Sequence, residues 1–329
     1  MSDLRWRFCT APMMDWSDRH CRYFFRLLSP RARLYTEMVT TGALQFGNAP
    51  RHLDFDPAEH PVALQLGGSD PAALAHCARL GEAWGYDEIN LNVGCPSERV
   101  VTGSFGACLM AEPGLVADCV ASMRDAVSMP VTVKHRTGID AIEEYSFLRD
   151  FVGTVAAAGA SAFIVHARNA ILKGLSPKEN REIPPLKYDF VHRAKRDFPD
   201  VTVVINGGIV TLDDIERELA LVDGVMLGRA AYHHPYLLAE ADAYCTGAGA
   251  RRRSRGAIVE ALLPYVESQL ARGVHLRAIT RHILGLYHGA PGARTWRRML
   301  SDAALLASSG PELLAAARAA VESQEALAV

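Results

Sequence analysis

One cysteine stands out by its neighbours. Residues 87–97 read Asp-Glu-Ile-Asn-Leu-Asn-Val-Gly-Cys-Pro-Ser, so a short apolar run carrying Asn90 and Asn92 at alternate positions ends in a Gly94-Cys95-Pro96 corner. A glycine-bearing segment follows, from Ser97 to Met110, before a helical pattern starts after Pro113. A thiol at the mouth of a strand, in front of a loop that can close, is placed to act as an acid or a nucleophile. The same residues also fit a cysteine that merely fills a tight turn. Both readings stand on this stretch alone.

Other polar residues end apolar runs in the same way. Lys134 closes Val131–Lys134, and a lysine buried there needs a partner. Either Glu37 supplies it as an ion pair, or the ammonium faces the electron-rich N1/C2 edge of a flavin. His166, at the end of Ala162–His166, is suited to a phosphate or a carbonyl, or to a satisfied place in the core. Gln65 offers an amide donor and acceptor to a uracil-like edge, and Ala11-Pro12-Met13 makes a rigid apolar turn that a planar ring could abut. Asn206-Gly207-Gly208 and Gly228-Arg229 end two successive runs. Glycines let backbone N–H groups approach an anion and Arg229 adds positive potential, so the pair reads as a phosphate site rather than two ordinary turns.

The elements that must position these residues follow a repeating pattern. Eight short apolar runs occur: Phe8–Met13, Arg33–Glu37, Pro61–Gln65, Glu88–Asn92, Val131–Lys134, Ala162–His166, Val201–Asn206 and Gly224–Leu227. Several lack alternation, as strands buried on both faces do. Helical patterns lie between them, including Pro71–Trp84, Leu115–Val127, Tyr145–Ala158, Tyr188–Arg196 and Leu212–Leu221, with Asp70-Pro71 and Thr211 as helix starts. Eight strands alternating with helices predict a parallel (β/α)8 TIM barrel, an α/β fold. The alternative is an open doubly wound sheet, but no GxGxxG follows the first strand. In a barrel the active site lies at the C-terminal ends of the strands, where the residues above fall.

Past Pro235 the pattern becomes helical. The barrel is expected to span residues 1–239 and a smaller all-α domain residues 240–329. Gly247-Ala248-Gly249 reads as a hinge, and Ala257, Val259, Leu262, Leu263, Val266 and Leu270 as one helix face. Charge is unevenly spread. Residues 1–250 hold 24 Lys and Arg against 31 Asp and Glu, whereas residues 251–300 hold ten Arg against two Glu. A basic block on an acidic protein points to a polyanionic partner, with a solvated helix face as the plainer explanation. The seven cysteines are scattered and lack CxxC spacing, which argues against disulfides and zinc. No signal-peptide core, no long apolar run and no HExxH, Walker A or GxSxG motif occurs, so a cytoplasmic protein without membrane, metal or an obligate protein partner is expected.

Read together, these motifs resemble the tRNA-dihydrouridine synthase family. The resemblance is carried by Ala11-Pro12-Met13-Met14-Asp15, Leu64-Gln65-Leu66-Gly67-Gly68, Asn90 through Ser97, Val133-Lys134-His135-Arg136, Val165-His166-Ala167-Arg168 and Asn206-Gly207-Gly208. Gly174 through Arg181 and Gly289 through Arg298 resemble the A subfamily, which acts on D-loop uridines at positions 20 and 20a. The resemblance implies FMN in the barrel, reduced by NADPH, and held by Ala11, Pro12, Met13, Gln65, Lys134, His166, Asn206, Gly207, Gly208, Gly228 and Arg229. It implies Cys95 as the proton donor opposite a hydride delivered to the uracil ring, and Cys108 as a packing residue. Asn92, Arg181, Arg294 and Arg297 are the implied tRNA contacts, with tRNA the partner and the target base extruded into the pocket. Trp296 fits a core position better than an RNA clamp. A different FMN barrel acting on a free small molecule would leave the arginine-rich segment unexplained. A non-catalytic RNA-binding protein would leave Cys95, Lys134 and His166 unexplained.

Overall fold

The computed structural model describes residues 4–246 and 252–327. The proposed hinge at Gly247-Ala248-Gly249, and Arg251 of the basic run, lie outside the described residues. The chain forms two compact units: Met1–Met14 with Arg33–Gly228, and Asp15–Ala32 with Arg229–Val329.

The first unit is a (β/α)8 barrel. Its strands are β1 (Phe8–Thr10), β2 (Leu34–Thr40), β3 (Val62–Gly67), β4 (Glu88–Val93), β5 (Val131–Arg136), β6 (Ala162–His166), β7 (Thr202–Asn206) and β8 (Gly224–Leu227). They form one parallel sheet in the order β1-β8-β7-β6-β5-β4-β3-β2. The remaining gap is bridged by Arg33, just ahead of β2: Thr10 N donates to Arg33 O and Arg33 N to Phe8 O. Every residue of β3 and β4 is buried, as the non-alternating runs require when helices cover the outside and side chains fill the inside.

The helices between strands begin where the sequence places caps. Asp70 accepts from Ala73 N at the start of Pro71–Ala83, and Thr211 with Asp214 forms a capping box before Leu212–Leu219. Strand β2 runs past the expected Glu37 and slips register between Tyr35 and Met38. The reason is local: Thr36 Oγ1 accepts from Gln65 N at 3.0 Å, so a hydroxyl replaces a backbone acceptor in the ladder.

Alternation along each strand decides what faces the lumen. Cys9, Tyr35, Ala63, Ala162, Ile164, Val204 and Met226 form an apolar layer with Trp6, Ala11 and Met13. Beneath it sits a buried charge. Glu88, fully buried, accepts from Trp6 Nε1 at 2.7 Å and Tyr35 OH at 2.8 Å, and pairs with Arg33 at 3.2 Å. Two residues further along each strand come the residues with chemistry.

The second unit is helical: Arg19–Leu28, Arg229–His233, Tyr236–Thr246, Arg255–Ala271, Leu276–Ile283, Ala293–Ser301, Ala303–Ser308 and Glu312–Leu327. In Arg255–Ala271 the buried face is Ile258, Val259, Leu262, Tyr265, Val266 and Gln269, whereas the expected Leu263 and Leu270 are only partly covered. The stripe is rotated because Tyr265 packs on Tyr23 at 3.8 Å and bonds to His20. Trp296 is core: its Nε1 donates to Ile283 O at 2.9 Å and its ring lies 4.8 Å from Tyr287. Among the described residues no helix is long and apolar enough to cross a membrane, and no three or more His, Cys, Asp or Glu could hold a metal.

Candidate active site

The C-terminal rim of the barrel is a hydrogen-bonded ring of amides. Gln65 Nε2 donates to Asn90 Oδ1 at 2.7 Å, and Asn90 Nδ2 to Thr132 Oγ1 at 2.8 Å. One level higher, Asn92 Nδ2 donates to Gln65 Oε1 at 2.9 Å. The side-chain Oδ1 of Asn92 then accepts from Gly94 N at 3.1 Å and Cys95 N at 3.0 Å. The two asparagines at alternate positions thus do different work: Asn90 ties neighbouring strands, and Asn92 caps the corner that carries the cysteine.

Cys95 itself is half-buried and free, with Sγ 3.4 Å from Ser97 Oγ. Its carbonyl accepts from Ala107 N at 2.9 Å. The segment expected as a flexible loop is folded, with a helix at Glu98–Thr102 and a 3-10 turn at Gly106–Ala111. Cys108 donates to Phe105 O at 3.2 Å, and burial raises its pKa, so it is a structural thiol. A pocket of about 380 Å³ opens beside this segment, lined by Thr41, Gly68, Ser69, Gly103 and Phe105 among others.

Across the rim lies a cluster of positive groups. Lys134 Nζ donates to Asn206 Oδ1 at 3.1 Å and forms no ion pair among the described residues, so the alternative of a Glu37 partner fails. Asn206 is fixed in turn by its donation to Met226 O at 2.8 Å. Burial, then repulsion from Arg136, lowers the Lys134 pKa to about 7, with Cys95 opposing the shift. Burial likewise drives His166 well below its usual value, helped by Arg136, Lys134, Arg168 and Arg181. No carboxylate is among the groups acting on either residue. His135, between them in sequence, points the other way and packs against Phe151 and Phe163.

Gly207 and Gly208 complete this side. Both have positive φ, +103° and +75°, and a Cβ on Gly207 would stand 2.6 Å from His166 Cδ2. Tyr188 OH donates to Gly207 O at 2.7 Å and holds the turn. Ala11 N donates to Leu227 O at 2.7 Å, which sets Ala11 beside Gly228. The barrel unit therefore brings together Ala11, Pro12, Met13, Gln65, Asn92, Cys95, Lys134, His166, Asn206, Gly207, Gly208 and Gly228 on strand ends. Arg181 is exposed, on the turn Glu179–Arg181 of the same unit. Arg229 opens a helix of the second unit, and Arg294 and Arg297 stand exposed on Ala293–Ser301.

The basic block of the second unit is partly spent internally. Arg252 pairs with Glu240 at 2.9 Å, and Arg255 lies 4.0 Å over the Tyr236 ring. Arg272, Arg277, Arg294, Arg297 and Arg298 are exposed and make no ion pair among the described residues. Two residues that the motifs contained but that were assigned no role prove central: Arg136 and Asn180, both buried. A run of Lys-His-Arg ending a strand was the available signal for Arg136; no local pattern marked Asn180.

A parallel barrel with a thiol corner and an amide ring at the C-terminal ends of its strands defines the class as a (β/α)8 barrel, whose active sites lie on that rim. The family model "Dihydrouridine synthase (Dus)" matches residues 9–322, and the chain belongs to that family. It is 61% identical over 295 residues to a tRNA-dihydrouridine(20/20a) synthase of Pseudomonas syringae pv. tomato, covering 90% of this chain and 88% of the relative. Proteins of the same name from Salmonella typhimurium and Escherichia coli are each 59% identical, over 298 and 304 residues. These cover 90% and 92% of this chain, and 90% and 88% of the relatives.

Proposed function

We propose that this chain reduces uridine to 5,6-dihydrouridine in the D-loop of tRNA, at positions 20 and 20a. FMN is the flavin, NADPH its reductant and Cys95 the proton donor. The observation that carries the reading is the Gln65–Asn92–Cys95 chain of hydrogen bonds beside Lys134. It fixes an amide edge, a thiol corner and a cation on one rim.

The residues present fit a flavin mononucleotide. Lys134 is a lysine with a depressed pKa that donates to a neutral amide and forms no ion pair among the described residues, which suits the electron-rich edge of a flavin ring. Gly207 and Gly208 leave no room for side chains, which suits close approach of a phosphate to backbone. In this reading Ala11, Pro12, Met13 and Gln65 border the ring, while His166, Asn206, Gly207, Gly208 and Gly228 hold the ribityl phosphate end. When bound and reduced, the flavin supplies a hydride to C6 of the uracil.

The protein's own contribution is positional and acidic. Cys95 Sγ gives a proton to C5, so ring C5–H and C6–H bonds form as the C5=C6 double bond is lost. Ser97 Oγ stands next to the thiol and links it to solvent for reprotonation. The Asn92 cap keeps the corner from turning its thiol away. Asn92 also keeps one amide hydrogen for the base. Arg181, Arg294 and Arg297 contact tRNA, with residues 1–239 as the catalytic domain and 240–329 as the tRNA-binding domain. A tRNA substrate makes the cytoplasm the place of action.

The test uses purified protein, FMN, NADPH and tRNA from cells lacking this protein. Wild type should add two hydrogens to a D-loop uridine, mapped by mass spectrometry. Cys95→Ala should retain the yellow flavin and lose about 10²–10⁴-fold in rate, the range of a general acid. Flavin-loaded protein that oxidises NADPH but leaves every tRNA uridine unchanged refutes the reading.

A further inference from the structure

Arg136 is the last residue of β5 and is 3% exposed. A buried guanidinium ordinarily takes a carboxylate. This one takes three backbone carbonyls instead. Nε donates to Gly94 O at 3.1 Å, and NH1 donates to Asn180 O at 2.9 Å and Asn169 O at 3.3 Å.

The three carbonyls belong to three different segments, and two of them directly precede a residue of the proposed site. Gly94 precedes Cys95, and Asn180 precedes Arg181. Strand pairing explains the first contact: β4 and β5 set Val93 opposite His135, so the next residues, Gly94 and Arg136, leave the sheet side by side. The second contact depends on how residues 171–181 fold. Asn180, fully buried, accepts from Ile171 N at 2.8 Å and donates to Ile171 O at 2.9 Å and Leu175 O at 3.2 Å. That excursion is thus wound around one amide, and Arg136 fastens it to the barrel. Asn169, the third partner, is held by Thr137 Oγ1 at 2.9 Å.

We propose that Arg136 is a positioning residue that holds the Cys95 corner and the Arg181 turn in one fixed relation. This rests on the functional reading above. A planar fork directs donors from separate nitrogens at carbonyls on separate segments; an ammonium offers donors from a single nitrogen and cannot reproduce those fixed directions. One side chain thereby couples the group that delivers the proton to a group that engages the substrate.

The experiment is Arg136→Lys, which keeps the charge and loses the fork. Flavin absorbance and far-ultraviolet circular dichroism report retention of the fold. In a Cys108→Ser background Cys95 is the one thiol that is not buried. Its alkylation by iodoacetamide should then speed up by about tenfold, the effect of losing one hydrogen bond to a charged group. With tRNA, kcat should fall and KM should rise, each by about tenfold. Arg181→Ala should raise KM in the wild-type background and add little in Arg136→Lys. Unchanged alkylation of Cys95, or additive effects of the two substitutions, overturns the proposal. If Arg136→Lys does not fold, Asn180→Ala serves: it frees the Arg181 turn while leaving the Gly94 contact. It should raise KM while Cys95 alkylation stays unchanged, because the Arg136 contact to Gly94 O remains, and an unchanged KM overturns the proposal. Alkylation needs no turnover, so a failure of the tRNA reaction itself is distinguished from a failure of Arg136.

Discussion

If Lys134 faces FMN as proposed, FMN binding depends on pH with a sign set by that lysine. Its pKa is about 7 in the folded chain, against 10.5 for a free lysine. The electron-rich acceptor edge at N1 and C2=O of the flavin favours the ammonium and raises that value, so binding above pH 7 draws one proton onto Lys134. The sign follows: affinity is flat below pH 7 and falls as pH rises. With one proton linked, each pH unit costs about 1.4 kcal/mol, a factor of ten. Affinity should therefore drop about tenfold at pH 8 and about a hundredfold at pH 9. The neighbours do not mask the effect. His166 sits well below 6.5 and stays neutral, while Arg136, lowered to about 10, stays charged. The phosphate of FMN, with a second pKa of about 6, is already ionised throughout. Titrating FMN into flavin-stripped Cys95→Ser protein removes the thiol from the balance, and fluorescence quenching reads the affinity. Lys134→Met should bind more weakly at pH 7 and show no slope. A slope that persists in Lys134→Met, or is absent in its parent, refutes the assignment of this lysine to the flavin edge.

Other outcomes follow from particular contacts. Arg294→Ala with Arg297→Ala should raise KM for tRNA and lower the salt dependence of binding by about two phosphate contacts, leaving NADPH oxidation by the flavin unchanged; filter binding over a salt series checks this. Glu88→Gln leaves Arg33 without its buried counter-charge and should destabilise the barrel by about 3–5 kcal/mol, read as a lower urea midpoint. Gly207→Ala should fold yet lose FMN, because its new methyl meets the His166 ring at 2.6 Å and the backbone there has φ of +103°. Retention of flavin by that variant would place the phosphate elsewhere.

Much of this was legible in the chain because strand ends are local features. Each of the eight runs ends within a few residues of its strand, and alternation from a buried lumen residue predicts which side chain faces the mouth. Ala63 predicts Gln65, Thr132 predicts Lys134, Ile164 predicts His166 and Val204 predicts Asn206. What escaped the sequence depends on contacts between segments far apart in it. Arg136 looks like one more basic residue after Lys134 until its carbonyl partners at Gly94 and Asn180 are known, 42 and 44 residues away. Residues 15–32 follow β1 directly, yet they pack within the helical unit, through contacts such as His20 with Tyr265. No local pattern marks that exchange. The Arg-rich run misleads in the other direction: Arg252 and Arg255 are tied to Glu240 and Tyr236, so charge density in sequence overstates the free surface.

The position of Cys95, the proposed acid, two residues beyond its strand rather than on it, has a physical reason. A side chain on β4 is fixed by the ladder and, like Asn90 and Asn92, is consumed by amides of the same layer. A cysteine there would have no freedom to approach a base of variable pose. At the corner, the backbone of Cys95 is held at three points: its N–H by Asn92, its carbonyl by Ala107 N, and the preceding carbonyl by Arg136. The side chain keeps one torsion, χ1, with a long 3.4 Å hydrogen bond from the thiol to Ser97 Oγ. Rigid backbone with one torsion left open gives a proton donor a small conformational search and a fixed origin. Cys108, whose thiol is bonded to Phe105 O, has neither the open torsion nor the neighbouring amide ring. Exchanging the two roles, with Cys95→Ala leaving Cys108 in place, should therefore give no rescue of turnover.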